Sequence, residues 1–236
     1  MAITTVLFDL DGTLLPMDQD VFIKTYFGLL AQHLAPYGYE KEKLLKTIWG
    51  TTTHMIQNTT ARSNEEVFWE CMAHTYGPQV LQDVPKFDAY YRVGFPKVQA
   101  VCGHDPRAAQ VISACKRKGL RVALTTNPFF PSTATMQRIR WAGLDPEDFE
   151  LITTYENSRG CKPNPAYYHN VLKILGVTPQ ECLMVGNDVQ EDMMARELGM
   201  QVFLLTPCLI NRGDQDISTY PQGGFDELLA FIQNCN

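Results

Sequence analysis

No apolar run in this sequence reaches the ~18 residues that a membrane-spanning helix requires, which excludes a helical membrane protein. Basic residues are in the minority, with 20 Lys and Arg against 26 Asp and Glu and a net charge of −6. The cationic stripe on which nucleic-acid binding rests is therefore missing. No two cysteines stand at C-x-x-C spacing; Cys71, Cys102, Cys115, Cys161, Cys182, Cys208 and Cys235 are odd in number and scattered. Neither a disulfide framework nor a structural zinc site fits that pattern, and the five histidines are as dispersed. The opening Met1-Ala2-Ile3-Thr4-Thr5 has no basic flank leading into a long apolar stretch, so a secretory signal is not expected and a cytoplasmic protein is. What the chain does have is apolar material, 45% of its 236 residues, enough for a sizeable core and too much for intrinsic disorder.

The apolar pattern changes character along the chain. Ile3 to Phe8 is a strand candidate, and the roughly ninety residues after it carry almost no further strand signal. Helices are expected instead at Asp18–Pro36, at Glu40–Ile56 and after the S-x-x-E capping box Ser63–Glu66, with a fourth through Phe87–Tyr91. Beyond about residue 104 strands and helices alternate. Strands are read at Leu120–Leu124, Leu151–Thr153, Cys182–Val185 and Gln201–Leu205. Between and after them come helices, including Met136–Ala142, Val189–Leu198 and Phe225–Ile232. Alternation of this kind predicts an α/β fold, a mostly parallel sheet covered on both faces. The economical architecture is a Rossmann-like core of residues 1–16 and 98–236 with an all-helical cap, 17–97, inserted after the first strand. Pro and Gly at Leu15-Pro16-Met17 and Gly94-Phe95-Pro96 mark the expected crossings and suit hinges.

Ligands of open α/β sheets bind beyond the carboxyl ends of the strands. The residues expected there are Asp9, Asp11, Gly12 and Thr13, then Thr125, Thr126 and Asn127, then Lys162, then Gly186, Asn187, Asp188 and Asp192. Each alone is ordinary, since strand-end Asp is a common turn residue. Their delivery by four separate strand ends is not. Asp9 and Asp11 stand two apart, so in extended backbone both side chains leave one face. Carboxylates that close repel unless a cation joins them, and oxygen-only acidic donors suit Mg²⁺. Lys162 and Thr126 supply a charge and a hydroxyl for a dianionic group. Carboxylates, Mg²⁺ and Lys around a phosphate are the parts of phosphoryl transfer.

These motifs also resemble a known family. Asp9-Leu10-Asp11-Gly12-Thr13-Leu14 is similar to the D-x-D-G-T-L signature of haloacid dehalogenase-like hydrolases. Val122 to Asn127 resembles that family's second motif, Cys161-Lys162-Pro163-Asn164-Pro165 its third and Gly186 to Asp192 its acidic fourth. The resemblance implies a Mg²⁺-dependent phosphatase acting on a small phosphorylated metabolite. Asp9 matches the nucleophile that forms an aspartyl-phosphate. Asp11 matches the acid/base, its carbonyl also a metal ligand, while Thr126 and Lys162 match the groups that hold the phosphate, with Asn127 adjacent. Dehalogenases lack the second acid, which an alkoxide leaving group needs and a halide does not. Two alternatives stay open: a phosphosugar mutase of the same family, and a non-catalytic phosphorylation-dependent regulatory domain.

The fourth motif departs from its commonest form, for Gly186 is followed by Asn187 and only then by Asp188. Asp188 and Asp192 share one face if a helix starts there, which makes both candidate metal residues. Asp188 is expected as the direct ligand, with Asp192 acting through water or holding Lys162. In the insert, Arg62 is the candidate substrate contact and His54 a lesser one. Phe129 and Phe130 are candidates for the pocket mouth, and Trp49, Trp69 and Trp141 read as core or interface residues.

Overall fold

The computed structural model describes residues 2–235. Six strands form one sheet in the order β3-β2-β1-β4-β5-β6, every neighbouring pair parallel. They are β1 (Thr5–Phe8), β2 (Arg121–Leu124), β3 (Leu151–Ile152), β4 (Cys182–Gly186), β5 (Gln201–Leu205) and β6 (Gln222–Gly223). Side chains alternate between two buried layers, as the period of two dictates. Val6, Phe8, Leu124 and Val185 face one core, and Leu7, Ala123 and Met184 face the other. The first is covered by α5 (Arg107–Arg117) and α8 (Phe225–Asn234), the second by α7 (Pro165–Leu175) and a 3₁₀ turn, Met193–Leu198.

Between β1 and α5 the described chain is wholly helical or looped. It contains α1 (Gln19–Leu34), α2 (Lys41–Ile56), α3 (Asn64–Tyr76) and α4 (Val84–Val93), with 3₁₀ stretches between and after them. Carboxylates start the first two, for Asp18 accepts from the Asp20 and Val21 N–H groups and Glu40 from those of Glu42 and Lys43. The Ser63/Glu66 capping box starts α3 as its sequence requires. No helix among the described residues is long and apolar enough to cross a membrane.

Four details differ from the expectations. Gly94–Pro96 is not an exposed connector: Phe95 is fully buried among Phe22, Tyr26, Phe130 and Trp141. The chain on either side of the helical insert is joined by a Met17–Cys102 bridge, with the Gly103 N–H 2.6 Å from the Pro16 carbonyl. The helix α6 (Ser132–Trp141) begins earlier than read because the distant Glu156 carboxylate accepts from the Ser132 N–H at 2.8 Å. Val189 opens no helix; Asp188 accepts from the Gln190 and Glu191 N–H groups and makes a turn there, delaying regular winding to Met193. Trp49 is not core but half exposed, its ring 5.5 Å from that of Phe27.

Candidate active site at the strand ends

Register decides what converges. Phe8 lies between Leu124 and Val185 in the sheet, so Asp9, Thr125 and Gly186 follow side by side at the carboxyl edge of its centre. The chain turns at once after Asp9. The Gly12 and Leu15 N–H groups bond to Leu15 and Leu10 carbonyls, and Gly12 takes φ +82°, where a side chain is strained. A Cβ there would also stand 2.3 Å from the Asn187 amide nitrogen. Gly186 is required for a second close approach, since its Cβ would lie 2.1 Å from the Asp192 carboxylate.

Lys162, on the loop before α7, is buried and ion-paired twice: Nζ donates to Asp9 Oδ1 at 2.7 Å and to Asp192 Oδ1 at 2.6 Å. Burial alone would lower its pKa, but Asp192 and Asp9 outweigh burial and hold it well above the usual lysine value. Asp9 Oδ2 accepts from the Thr13 hydroxyl at 3.0 Å, and that hydroxyl lies equally far from Asn187 Oδ1. Thr126 is buried at the end of β2 and lines the cavity above these groups. Asn127 also reaches the cavity, yet its side chain is engaged: Oδ1 accepts from the Lys162 N–H at 2.8 Å and Nδ2 donates to Glu191 Oε2 at 2.7 Å. Asn127 therefore positions the lysine loop.

The two acids of the fourth motif have different partners. Asp192 Oδ2 accepts from the Asp188 N–H at 3.0 Å, so both its oxygens are held within the protein. Asp188 Oδ1 caps the turn, and Oδ2 pairs with Arg212 at 2.8 Å. Burial pushes the Glu191 carboxyl up to about 8 and raises that of Asp192 as well, against the pull of Lys162.

Three residues of this site were not singled out from the sequence. Arg138, fully buried on α6, forms an ion pair with Asp11 and lies 4.4 Å over the Phe130 ring. Burial raises the Asp11 carboxyl above the usual carboxylate range while Arg138 pulls it down. A signal for Arg138 existed: with Ala134, Thr135 and Ile139 it occupies the apolar-spaced face of its helix. Glu191 and Arg212 sit in turns and carry no such pattern.

The structure does not bring Arg62 to the site. Its guanidinium pairs with Glu70 at 2.5 Å, half exposed, and neither it nor His54 lines the cavity. Phe129 and Phe130 do. The cavity, of about 440 Å³, runs from Asp9 and Asp11 up between α1, α2, α3 and α4. Its roof is fastened to the core beside Lys162, where the fully buried Asn64 of α3 accepts from the Gly160 N–H at 3.0 Å and donates to the Gly160 carbonyl at 2.9 Å.

A parallel sheet with paired carboxylates and a buried lysine at its carboxyl edge defines a class of hydrolase. The model of haloacid dehalogenase-like hydrolases matches residues 3–199, and the chain belongs to that family. It is 26% identical over 211 residues to a ribulose-1,5-bisphosphate 5-phosphatase of Halopiger xanaduensis, covering 86% of this chain and 85% of that one. It is 24% identical over 243 residues to the pyrophosphatase PpaX of Bacillus cereus, covering 100% and 99%. Among solved structures, the magnesium-bound hydrolase YfnB of Bacillus subtilis superposes with a TM-score of 0.58 at 18% identity, covering 99% and 100%.

Proposed function

We propose that the protein is a Mg²⁺-dependent phosphatase that hydrolyses a small phosphorylated metabolite through an aspartyl-phosphate on Asp9. The observation that carries this reading is Lys162 Nζ fixed between Asp9 and Asp192, two acids that line the floor of the cavity. Asp9 attacks phosphorus while the ester P–O bond breaks, and Asp11 delivers a proton to the departing oxygen. Water then attacks phosphorus, Asp11 takes its proton and the Asp9 carboxylate leaves. Lys162 and Thr126 hold the phosphoryl oxygens throughout, and residues 17–97 act as a cap that excludes water from the intermediate. The family's named relatives support phosphoryl chemistry, and the second acid, Asp11, supports it over dehalogenation.

The donor set fits Mg²⁺. Asp9 and Asp188 would supply carboxylate oxygens, and Asp11 its carbonyl. Among the described residues no three His, Cys, Asp or Glu side chains form a ready cage. Mg²⁺ needs none, for it binds through one or two carboxylates with water and phosphate oxygens completing its shell. When bound it neutralises charge on the transferring phosphoryl group. Asp192, whose Oδ1 accepts from Lys162 Nζ at 2.6 Å, positions Lys162.

Hydrolysis of a panel of phosphate monoesters with and without Mg²⁺ tests the reading; no hydrolysis of any ester, activated aryl phosphates included, would reject it. Mg²⁺ titration separates the two acids. Asp188→Asn is expected to raise the half-saturating Mg²⁺ by ~10–100-fold. Asp192→Asn should lower kcat with little change in the Mg²⁺ required. The reverse order would make Asp192 the direct ligand.

A further inference from the structure

The family relatives named above act on substrates with two phosphates, and this cavity is not built for a second anion. Above the carboxylate floor its wall is aromatic and aliphatic, with Phe27, Trp49, Phe68, Trp69, Tyr91 and Phe130 among its lining. Arg212 is the one basic side chain among the described lining residues. It is already paired with Asp188 at 2.8 Å, with Glu191 a further 3.9 Å neighbour. The charges on the helical wall itself are Asp20 and Asp88, both negative. A second phosphate or a carboxylate reaching the helical wall would meet no cation on that wall and two carboxylates that repel it. Neutral polar groups on that wall are few: the Tyr26 and Tyr91 hydroxyls bond to each other at 2.9 Å, and Gln19, Thr52 and Tyr155 add three more. The volume, about 440 Å³, nonetheless leaves room for an organic group beyond the phosphate. Trp49, otherwise an unexplained half-exposed indole, forms part of that wall.

Resting on the phosphatase reading, we propose that the substrate is a phosphate monoester of an apolar alcohol, ring-bearing or alkyl, with the phosphate as its only anionic group. Bisphosphates, pyrophosphate and phosphorylated carboxylic acids are excluded by the charge of the wall.

Phenethyl and ethyl phosphate release alcohols of similar basicity, so their comparison isolates the wall from the chemistry. At about 4-fold per buried methylene, phenethyl phosphate is expected to exceed ethyl phosphate in kcat/KM by at least ~50-fold. Phosphoglycolate, fructose bisphosphate and pyrophosphate should fall at or below ethyl phosphate. Trp49→Arg, at a half-exposed position that tolerates the change, should shrink the phenethyl preference and raise phosphoglycolate. Equal kcat/KM for the two monoesters, or preference for a second anion, would overturn the proposal. Calorimetric binding of phenethylphosphonate and ethylphosphonate to the Mg²⁺-supplemented wild type reads the same wall without turnover. Tighter phenethylphosphonate with no ester hydrolysed would support the apolar ligand preference of the wall and reject the phosphatase reading. Hydrolysis led by anionic esters would do the opposite.

Discussion

Lys162→Met is expected to abolish turnover and to cost about 3–5 kcal/mol of stability. The lysine is the shared cation of two buried carboxylates, Asp9 and Asp192, at 2.7 and 2.6 Å. Methionine keeps the length of the side chain and removes the charge, leaving both acids uncompensated in the interior. For a chain of this size the loss corresponds to roughly 6–20 °C in Tm. A double variant, Lys162→Met with Asp192→Asn, removes one orphaned carboxylate and should recover part of that loss, a coupling of ~0.5–3 kcal/mol. It should not recover activity, because the phosphoryl group would still lack its cation. Thermal denaturation of the single and double variants checks this, and additive losses would show that the two residues are not paired.

Asp11→Asn is expected to lower kcat by ~10²–10⁴-fold, the range that a positioned general acid supplies. Affinity for tungstate should persist, since Asp9, Thr126 and Lys162 are untouched. The stability change must be read alongside. Arg138 is fully buried and Asp11 is its anionic partner, while Arg138 Nε and Asp11 Oδ1 have no partner among the described residues. Asparagine leaves Arg138 an oxygen acceptor but no counter-charge. A fall in kcat with tungstate binding intact assigns proton transfer to Asp11. A kcat within tenfold of wild type would make Asp11 a structural partner of Arg138.

The sheet and most of the floor of the site were legible because local signals sufficed. Five of the strands are apolar runs bounded by turn residues, and register then carries Asp9 and Asn187 to one edge. The helical insert was legible from its spacing and from the Ser63 capping box. What escaped depends on tertiary contact. Glu156 sets the start of α6 from 24 residues away. Gln222–Gly223 is an edge strand of two residues with no apolar alternation to mark it. Arg62 was credited with a reach that its pairing with Glu70 denies. Trp49 reads as core or interface from the sequence, and it edges a cavity that only the packed helices create.

The most direct test of Asp9 as nucleophile is acid quenching of the wild-type enzyme during turnover of an activated aryl phosphate with Mg²⁺, followed by mass spectrometry of the peptides. One phosphoryl group on the peptide containing Asp9, absent in Asp9→Asn and lost as turnover ends, is the predicted result. A phosphoryl group on Asp188, or turnover with none on any aspartate, would contradict the mechanism.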